Sequence, residues 1–324
     1  HRFVPFTLMD VAGLVEGASE GKGLGNEFLN DLAPADAFIH VVDLSGNYDS
    51  EGKPAENYYP GKDISMIESE LDKWYLGILK KVWAVFARTV EMQKQKFEAA
   101  VAKQFSGLKV VEEEVAHVLV RTKLNGEKPT QWSEEDLKRF SRELRKYTKP
   151  MIIAANKVDT SRGPENFVKV KEEFDYPIVP CFSDGELALR EADKHGVIDY
   201  IPGEKSFEIK KELGEKQKNA LNAIQKVMDE FGSTGIQEVL NKVVFDVLQY
   251  ICIYPAGAKL SDSKGNVLPD CFLMKKGSTA LDFAFKLHTD IGRDFVKAID
   301  IRTKQAVGKD YVLKHCDGLE ILTK

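Results

Sequence analysis

Asp10 and Asp159 are the two carboxylates of this 324-residue chain whose neighbours give them a specific chemistry. Asp10 opens a D-x-x-G at the end of the apolar run 3–9 (FVPFTLM). A carboxylate there can hold a water on Mg²⁺, a hard cation that prefers oxygen ligands and keeps several waters. Gly13 has no side chain, so its amide can approach a terminal phosphate. Gly17, Gly21, Gly23 and Gly25 follow, and they give the loop freedom to order around one ligand and collapse without it. Asp159 closes Asn156-Lys157-Val158-Asp159 after the apolar run 150–155 (PMIIAA). Its carboxylate can accept two hydrogen bonds at once, from guanine N1–H and the exocyclic amino group. Adenine offers no such pair and would leave the charge against an unprotonated ring nitrogen. Asn156 can tie loops together through its amide, and the Lys157 stem can lie over a base while its ammonium stays wet. Each string is short: D-x-x-G also describes a tight turn, and Asp159 could simply cap a helix.

The longer stretch Asp10-Val11-Ala12-Gly13 through Phe28-Leu29 resolves that ambiguity. It resembles the switch region of the Obg family of P-loop GTPases, D-x-x-G-L-x-x-G-A-x-x-G-x-G-L-G-x-x-F-L, at every fixed position. The resemblance implies an α/β fold: a mostly parallel P-loop NTPase sheet, here without its N-terminal part. It also implies GTP/GDP and Mg²⁺ as ligands, with nucleotide contacts from Asp10, Gly13, Asn156, Lys157 and Asp159, and with Asp10 on the metal through water. The loop that usually reads S-A-x and offers a backbone amide to the guanine carbonyl reads Cys181-Phe182-Ser183 here, so Ser183 is the candidate. The family places G-x-x-x-x-G-K-[ST] on an earlier strand and helix. No such string occurs in the chain, and the expectation is that it precedes the first residue. No catalytic residue is assignable. Leu14 stands where Ras-like enzymes carry the glutamine that orients the attacking water, so slow hydrolysis is expected. Glu16 and Glu20 are candidates by proximity alone.

Residues 3–9, 37–42 (AFIHVV), 150–155 and 176–182 (YPIVPCF) read as buried strands of a parallel sheet. His40, inside one of them, reads as a core residue with a satisfied nitrogen. From Asp63 to about Val120 the period is helical, with Leu71, Tyr75, Ile78, Val82 and Phe86 on one face. Residues 93–104 continue it, and a second helix spans 112–122. Ser133 with Asp136 makes a capping box for a third. The block reads as two antiparallel helices plus smaller pieces, with Trp74, Trp83 and Phe86 as packing aromatics. Helices are expected over 186–195, 215–231 and 236–251, with Ser233-Thr234-Gly235 as a cap of the last.

Tyr254-Pro255-Ala256-Gly257 reads as a boundary. The strand-rich remainder, with a K-G-S-T turn capped by Ser278 or Thr279 and then H-T-D-I-G, resembles a TGS domain, a β-grasp module. His288 reads as packed or capping. Expected domains are residues 1–60 (GTPase, first part), 61–148 (helical insertion), 149–251 (GTPase, second part with a helical tail) and 252–324 (TGS). That order looks like the YchF-related branch of the Obg family. Some members of that branch with an altered base motif prefer ATP, whereas N-K-V-D is intact here.

Composition sets bounds on the rest. Net charge is −5, which excludes a generic polyanion binder. Residues 252–324 hold 12 Lys/Arg and 9 Asp/Glu, about +3 against about −8 for the remainder. That asymmetry is compatible with an RNA-facing module. Cys181, Cys252, Cys271 and Cys316 form no C-x-x-C pair and fit a reducing cytoplasm. Cys181 reads as a packed thiol. No apolar run reaches membrane-spanning length. The sequence therefore points to a slow GTPase switch that engages the ribosome or another RNA assembly through its helical and TGS parts, with neither DNA nor membrane as a partner. The alternatives are a non-catalytic RNA-binding scaffold with a decayed nucleotide site, and an ATPase of the same branch.

Overall fold

The computed structural model describes residues 4–11, 31–257 and 271–324. It divides into two compact units, Val11–Val243 and Val244–Lys324, the latter grouped with His1–Asp10. In the larger unit three apolar runs become parallel strands β1 (Phe38–Asp43), β2 (Met151–Asn156) and β3 (Ile178–Pro180), in spatial order β1-β2-β3. The central β2 is buried from Met151 to Ala155, as a continuous apolar run requires when both edges are paired and both faces covered. Val42, Leu44, Ile153, Ala155, Val158 and Val170 share the core beneath it. The register sets Asp43 beside Asn156 and Ala155 beside Pro180. The carboxyl ends of all three strands thus emerge together.

Two strand expectations need correction. β1 is only partly buried, with Val41 62% exposed, because it is an outer strand among the described residues. Residues 4–11 form no strand, and Phe6, Leu8 and Met9 are exposed. A strand exists only as one member of a hydrogen-bonded ladder. No described segment pairs with this run, and Pro5 removes one donor from it.

The helical block is also more broken than its period implies. It comprises α1 (Gly61–Lys80), α2 (Trp83–Met92), α3 (Phe97–Gln104), α4 (Glu112–Thr122) and α5 (Glu134–Thr148). The chain leaves the helical path at Val82 and again at Lys94, which takes the left-handed φ of 51°. Folding back lets Tyr75, Leu79, Val90, Phe97, Val101, Phe140 and Leu144 meet in one core, whereas one long rod would leave them with nothing to bury against. Trp83 packs on Phe86 and Trp132, with ring centroids 5.8 and 5.3 Å apart. Ser133 caps α5: its Oγ accepts from Asp136 N at 3.1 Å, and Asp136 Oδ2 accepts from Ser133 N at 3.0 Å. Arg145, fully buried on α5, reaches Asp72 of α1 at 2.8 Å.

Beyond β2 lie α6 (Gly163–Glu173), β3, α7 (Ser183–Lys194), the short pair β4 (Ile198–Asp199) and β5 (Glu208–Ile209), then α8 (Glu215–Phe231) and α9 (Ile236–Asn241). The helix expected over 236–251 ends early. After a π-helical turn, Lys242–Val247, the chain enters strand β6 (Tyr250–Pro255). There Ile251 and Ile253 pair with β7 (Phe272–Lys275), and Ile253 also pairs with β10 (Asp317–Thr323). Those strand partners outweigh the local helical period.

The smaller unit is a five-stranded sheet, β7-β6-β10-β8-β9, with β8 at Phe295–Asp300 and β9 at Ala306–Val307. Its β10 runs parallel to β6 and the other pairs are antiparallel. Helix α10 (Ala280–Leu287) buries Ala280, Phe283 and Ala284, and Phe283 joins Ile253, Met274, Ala298 and Leu319 in the core. Thr279 caps it through Asp282 N at 3.3 Å. His288 caps the short α11 (Thr289–Arg293), its Nδ1 accepting from Asp290 N at 3.2 Å.

Candidate nucleotide site

Asn156 is the last residue of β2, and its side chain crosses to the start of α7. Its Oδ1 accepts from Ser183 N at 3.1 Å and Ser183 Oγ at 2.9 Å. Two sequence-predicted residues 27 positions apart are thereby joined. Backbone bonds brace the same junction: Cys181 N donates to Ala155 O at 2.8 Å, Val158 N to Cys181 O at 3.2 Å and Leu44 N to Asn156 O at 2.9 Å. The arrangement lies at the carboxyl ends of parallel strands, where open α/β sheets bind ligands.

Lys157 leaves β2 with φ 63°, a conformation that costs a residue with a side chain about 1–2 kcal/mol and is found at sites that over-determine it. Thr160 holds it there, N and Oγ1 both donating to Lys157 O at 3.2 and 2.8 Å. Gly163 is needed just beyond. A Cβ at that position would stand 2.4 Å from Val158 O and 2.6 Å from Lys157 O. The ammonium of Lys157 pairs with Asp43 Oδ2 at 2.7 Å and sits 5.5 Å from the centre of the Tyr48 ring. Its hydrogen bond to Asp43 raises the Lys157 pKa. Burial works to raise Asp43, but donation from Lys157 and Ser45 prevails and holds its carboxyl below the ordinary value.

Asp159 stays open to solvent. Even so, desolvation by the surrounding loops, with the charge of Asp184, raises its carboxyl above the ordinary value. Cys181 is buried, and burial pushes its thiol up to about 12. It is a packed thiol, not a nucleophile.

Glu186, one turn along α7 from Ser183, is 4% exposed. Glu186 accepts from Tyr200 OH at 2.8 Å, Thr234 Oγ1 at 2.5 Å and Arg190 Nε at 2.5 Å. The Ser233-Thr234-Gly235 turn therefore serves α7 as well as α9. The Thr234 hydroxyl goes to Glu186 and not to a helix cap, and Thr234 O accepts from Phe182 N at 2.8 Å. Gly235 takes φ 81° against the carbonyl of Pro180.

Asp10 lies exposed in an irregular segment, and Gly13, Leu14, Glu16 and Glu20 fall outside the described residues. An exposed carboxylate is a donor of suitable hardness for Mg²⁺ through water. Among the described residues no cluster of His, Cys, Asp and Glu could itself hold a metal. A cleft of about 610 Å³ between Tyr58, Tyr59 and α6 shares none of its lining with the motif residues. Asp43, Tyr48 and Glu186 were not predicted as site residues. The signal for Asp43 was a carboxylate ending an apolar strand; nothing local marked the other two.

Three family descriptions match the chain: an Obg-like GTPase YGR210-like, G4 motif-containing domain over residues 154–257, a TGS domain over 252–323, and a 50S ribosome-binding GTPase over 2–81. A GTP-binding protein of Methanocaldococcus jannaschii is 45% identical over 327 residues, covering 99% of this chain and 82% of the relative. A ribosome-binding ATPase, YchF, of Bacillus subtilis is 26% identical over 300 residues, covering 90% of this chain and 70% of the relative. The crystal structure of a GTP-binding protein from Pyrococcus horikoshii superposes with a TM-score of 0.76 at 44% identity, covering 92% of this chain and 81% of that one. By its two motifs, its three-stranded parallel core and these relatives, the chain belongs to the Obg-like, YchF-related family of P-loop GTPases and carries a C-terminal TGS domain.

Proposed function

We propose that the chain binds guanine nucleotide with Asn156, Lys157, Asp159 and Ser183 at the base, and with Gly13 and Asp10 at the phosphate end. The observation that carries this is the Asn156–Ser183 junction, which brings N-K-V-D and the start of α7 to one point at the strand ends. In this reading Asp159 accepts from the guanine edge, the Ser183 region offers an amide to the guanine carbonyl, and Asp10 holds a water on Mg²⁺. The bound cation would neutralise charge developing on the phosphates. Leu14 cannot orient an attacking water, so hydrolysis of GTP to GDP and phosphate is slow and a partner completes the site. The chain then works as a cytoplasmic switch on the ribosome or another RNA assembly. Residues 61–148 and 252–324 are its partner-facing modules, flanking GTPase segments 1–60 and 149–251. The names of the Bacillus relative and of the family matched over residues 2–81 support the ribosome as that assembly.

The test is equilibrium binding of fluorescent GDP, ADP and xanthosine diphosphate, with Mg²⁺, to the full-length protein and to Asp159→Asn. The wild type should prefer GDP. Asp159→Asn should lose GDP and gain xanthosine diphosphate, each by about 10-fold or more, as expected when a hydrogen-bonded edge contact is mismatched. Preference for ADP would favour the ATPase reading that the Bacillus name raises. Binding of none of the three would leave an RNA-binding scaffold.

A further inference from the structure

The base-motif lysine is held at its far end by two residues outside every motif. Asp43 and Lys157 lie 114 positions apart. The parallel register sets Asp43 beside Asn156, so the lysine emerges next to the carboxylate. Ser45 N donates to Asp43 Oδ1 at 2.8 Å, an Asx-type turn that fixes the carboxylate plane. The other oxygen, Oδ2, is left to face the Lys157 ammonium at 2.7 Å. The Tyr48 ring approaches the same ammonium at 5.5 Å, within cation–π range. At its other end the Lys157 backbone is fixed in the left-handed region by Thr160. A lysine stem is among the most mobile side chains a ligand could have to order. Pinned at both ends, its four methylenes become a fixed apolar ribbon.

We infer that Asp43 and Tyr48 are positioning residues that hold the Lys157 stem as a preformed shelf for the flat face of a purine. The inference rests on the guanine reading above and deepens it. Ordering the stem before the base arrives removes a cost that binding would otherwise bear. The shelf touches a ring face and is blind to the base edge. Asp159 reads the edge. The two roles therefore separate: losing the shelf weakens every purine diphosphate by one common factor, while losing Asp159 changes which purine is chosen.

The experiment is a double-mutant cycle on the full-length protein, read as the Kd of fluorescent GDP and of inosine diphosphate with Mg²⁺. Asp43→Asn keeps an acceptor for Ser45 N and removes the charge. Lys157→Met keeps an apolar stem and removes the ammonium. Both partners are partly exposed, at 31% and 42%, so Asp43→Asn should weaken both nucleotides by about 2- to 5-fold, less at high salt. Added to Lys157→Met, it should have no further effect. Tyr48→Leu, at an exposed ring, should weaken both by about 2- to 5-fold without lowering Tm. Factors that multiply in the double variant, an unequal loss of the two nucleotides, or unchanged affinity in Tyr48→Leu and Asp43→Asn would overturn the shelf. If Asp159→Asn still exchanges GDP for xanthosine diphosphate while the cycle is additive, the shelf alone fails. If the wild type has no purine preference, the guanine reading fails and takes the shelf with it.

Discussion

His40 shows how a single residue on β1 can write itself into the pH dependence of the whole protein. The residue is half-buried, and its Nδ1 is sealed and has no hydrogen-bond partner among the described residues. Burial takes its pKa down to about 4. Among the described residues, Nδ1 does not find the partner that the sequence leads one to expect. The unfolded chain binds a proton near pH 6.5, whereas the folded one binds it only near 4. Between those values the unfolded state carries more protons, so stability rises with pH and is lost as pH falls from about 6.5 toward 4. Urea unfolding at pH 7 and pH 5 should show this loss in the wild type and a smaller one in His40→Leu. Equal losses would mean that His40 does not titrate as its burial requires.

At the scale of elements, legibility depended on whether the deciding contact was local. The cap at Ser133 could be read because cap and acid lie three residues apart, and the second cap could be narrowed to Ser278 or Thr279, of which Thr279 is the one that caps. Strands β1 to β3 could be read from continuous apolar runs. The breaks in the insertion could not, since Lys94 takes a left-handed φ without any glycine to mark it. Nor could β6, whose strand state comes from partners 20 to 70 residues away in sequence, as the pairs Cys252–Leu273 and Ile253–Asp317 show. The long-range clamp at residues 33–35 was equally hidden. Lys149, 1% exposed, donates to Ala33 O at 2.7 Å and also to Ala35 O, and Lys109 donates to Pro34 O at 2.6 Å. In the candidate site, the motif strings stand out by their spacing, whereas Asp43, Tyr48 and Glu186 carry no such local mark. The turn between α8 and α9 is a support of that candidate site. A Cβ on Gly235 would stand 1.9 Å from Pro180 O, at a φ of 81°. Gly235→Ala should therefore cost more than about 2 kcal/mol in denaturant unfolding, from the backbone conformation plus the displaced carbonyl. Because Thr234 O holds Phe182 N, GDP affinity should fall as well. Unchanged affinity in a destabilised variant would detach this turn from the base site.

At the scale of the molecule, the core under the strands and the core of the TGS unit are built from different stretches of chain. Ile153, Val42 and Val158 lie under the strands that carry N-K-V-D. Phe283, Ile253 and Leu319 fill the TGS unit. The proposed base-site residues Asn156, Lys157, Asp159 and Ser183 all belong to the unit that holds those strands, and each hydrogen bond described for them stays within it. A ligand that binds only the folded form of one unit stabilises that unit by mass action. GDP should therefore raise the unfolding temperature of the unit holding β1 to β3. Phe283 is fully buried, and Phe283→Ala should destabilise the TGS unit by about 3–5 kcal/mol through lost burial and the cavity left behind. Its signature should be a calorimetric transition that moves down in the variant and is indifferent to GDP, beside one that GDP moves up. Fluorescent-GDP affinity should match the wild type. A single transition displaced by both the substitution and the nucleotide would show that the two cores unfold as one cooperative body, and the base site would then draw its stability from the TGS unit as well.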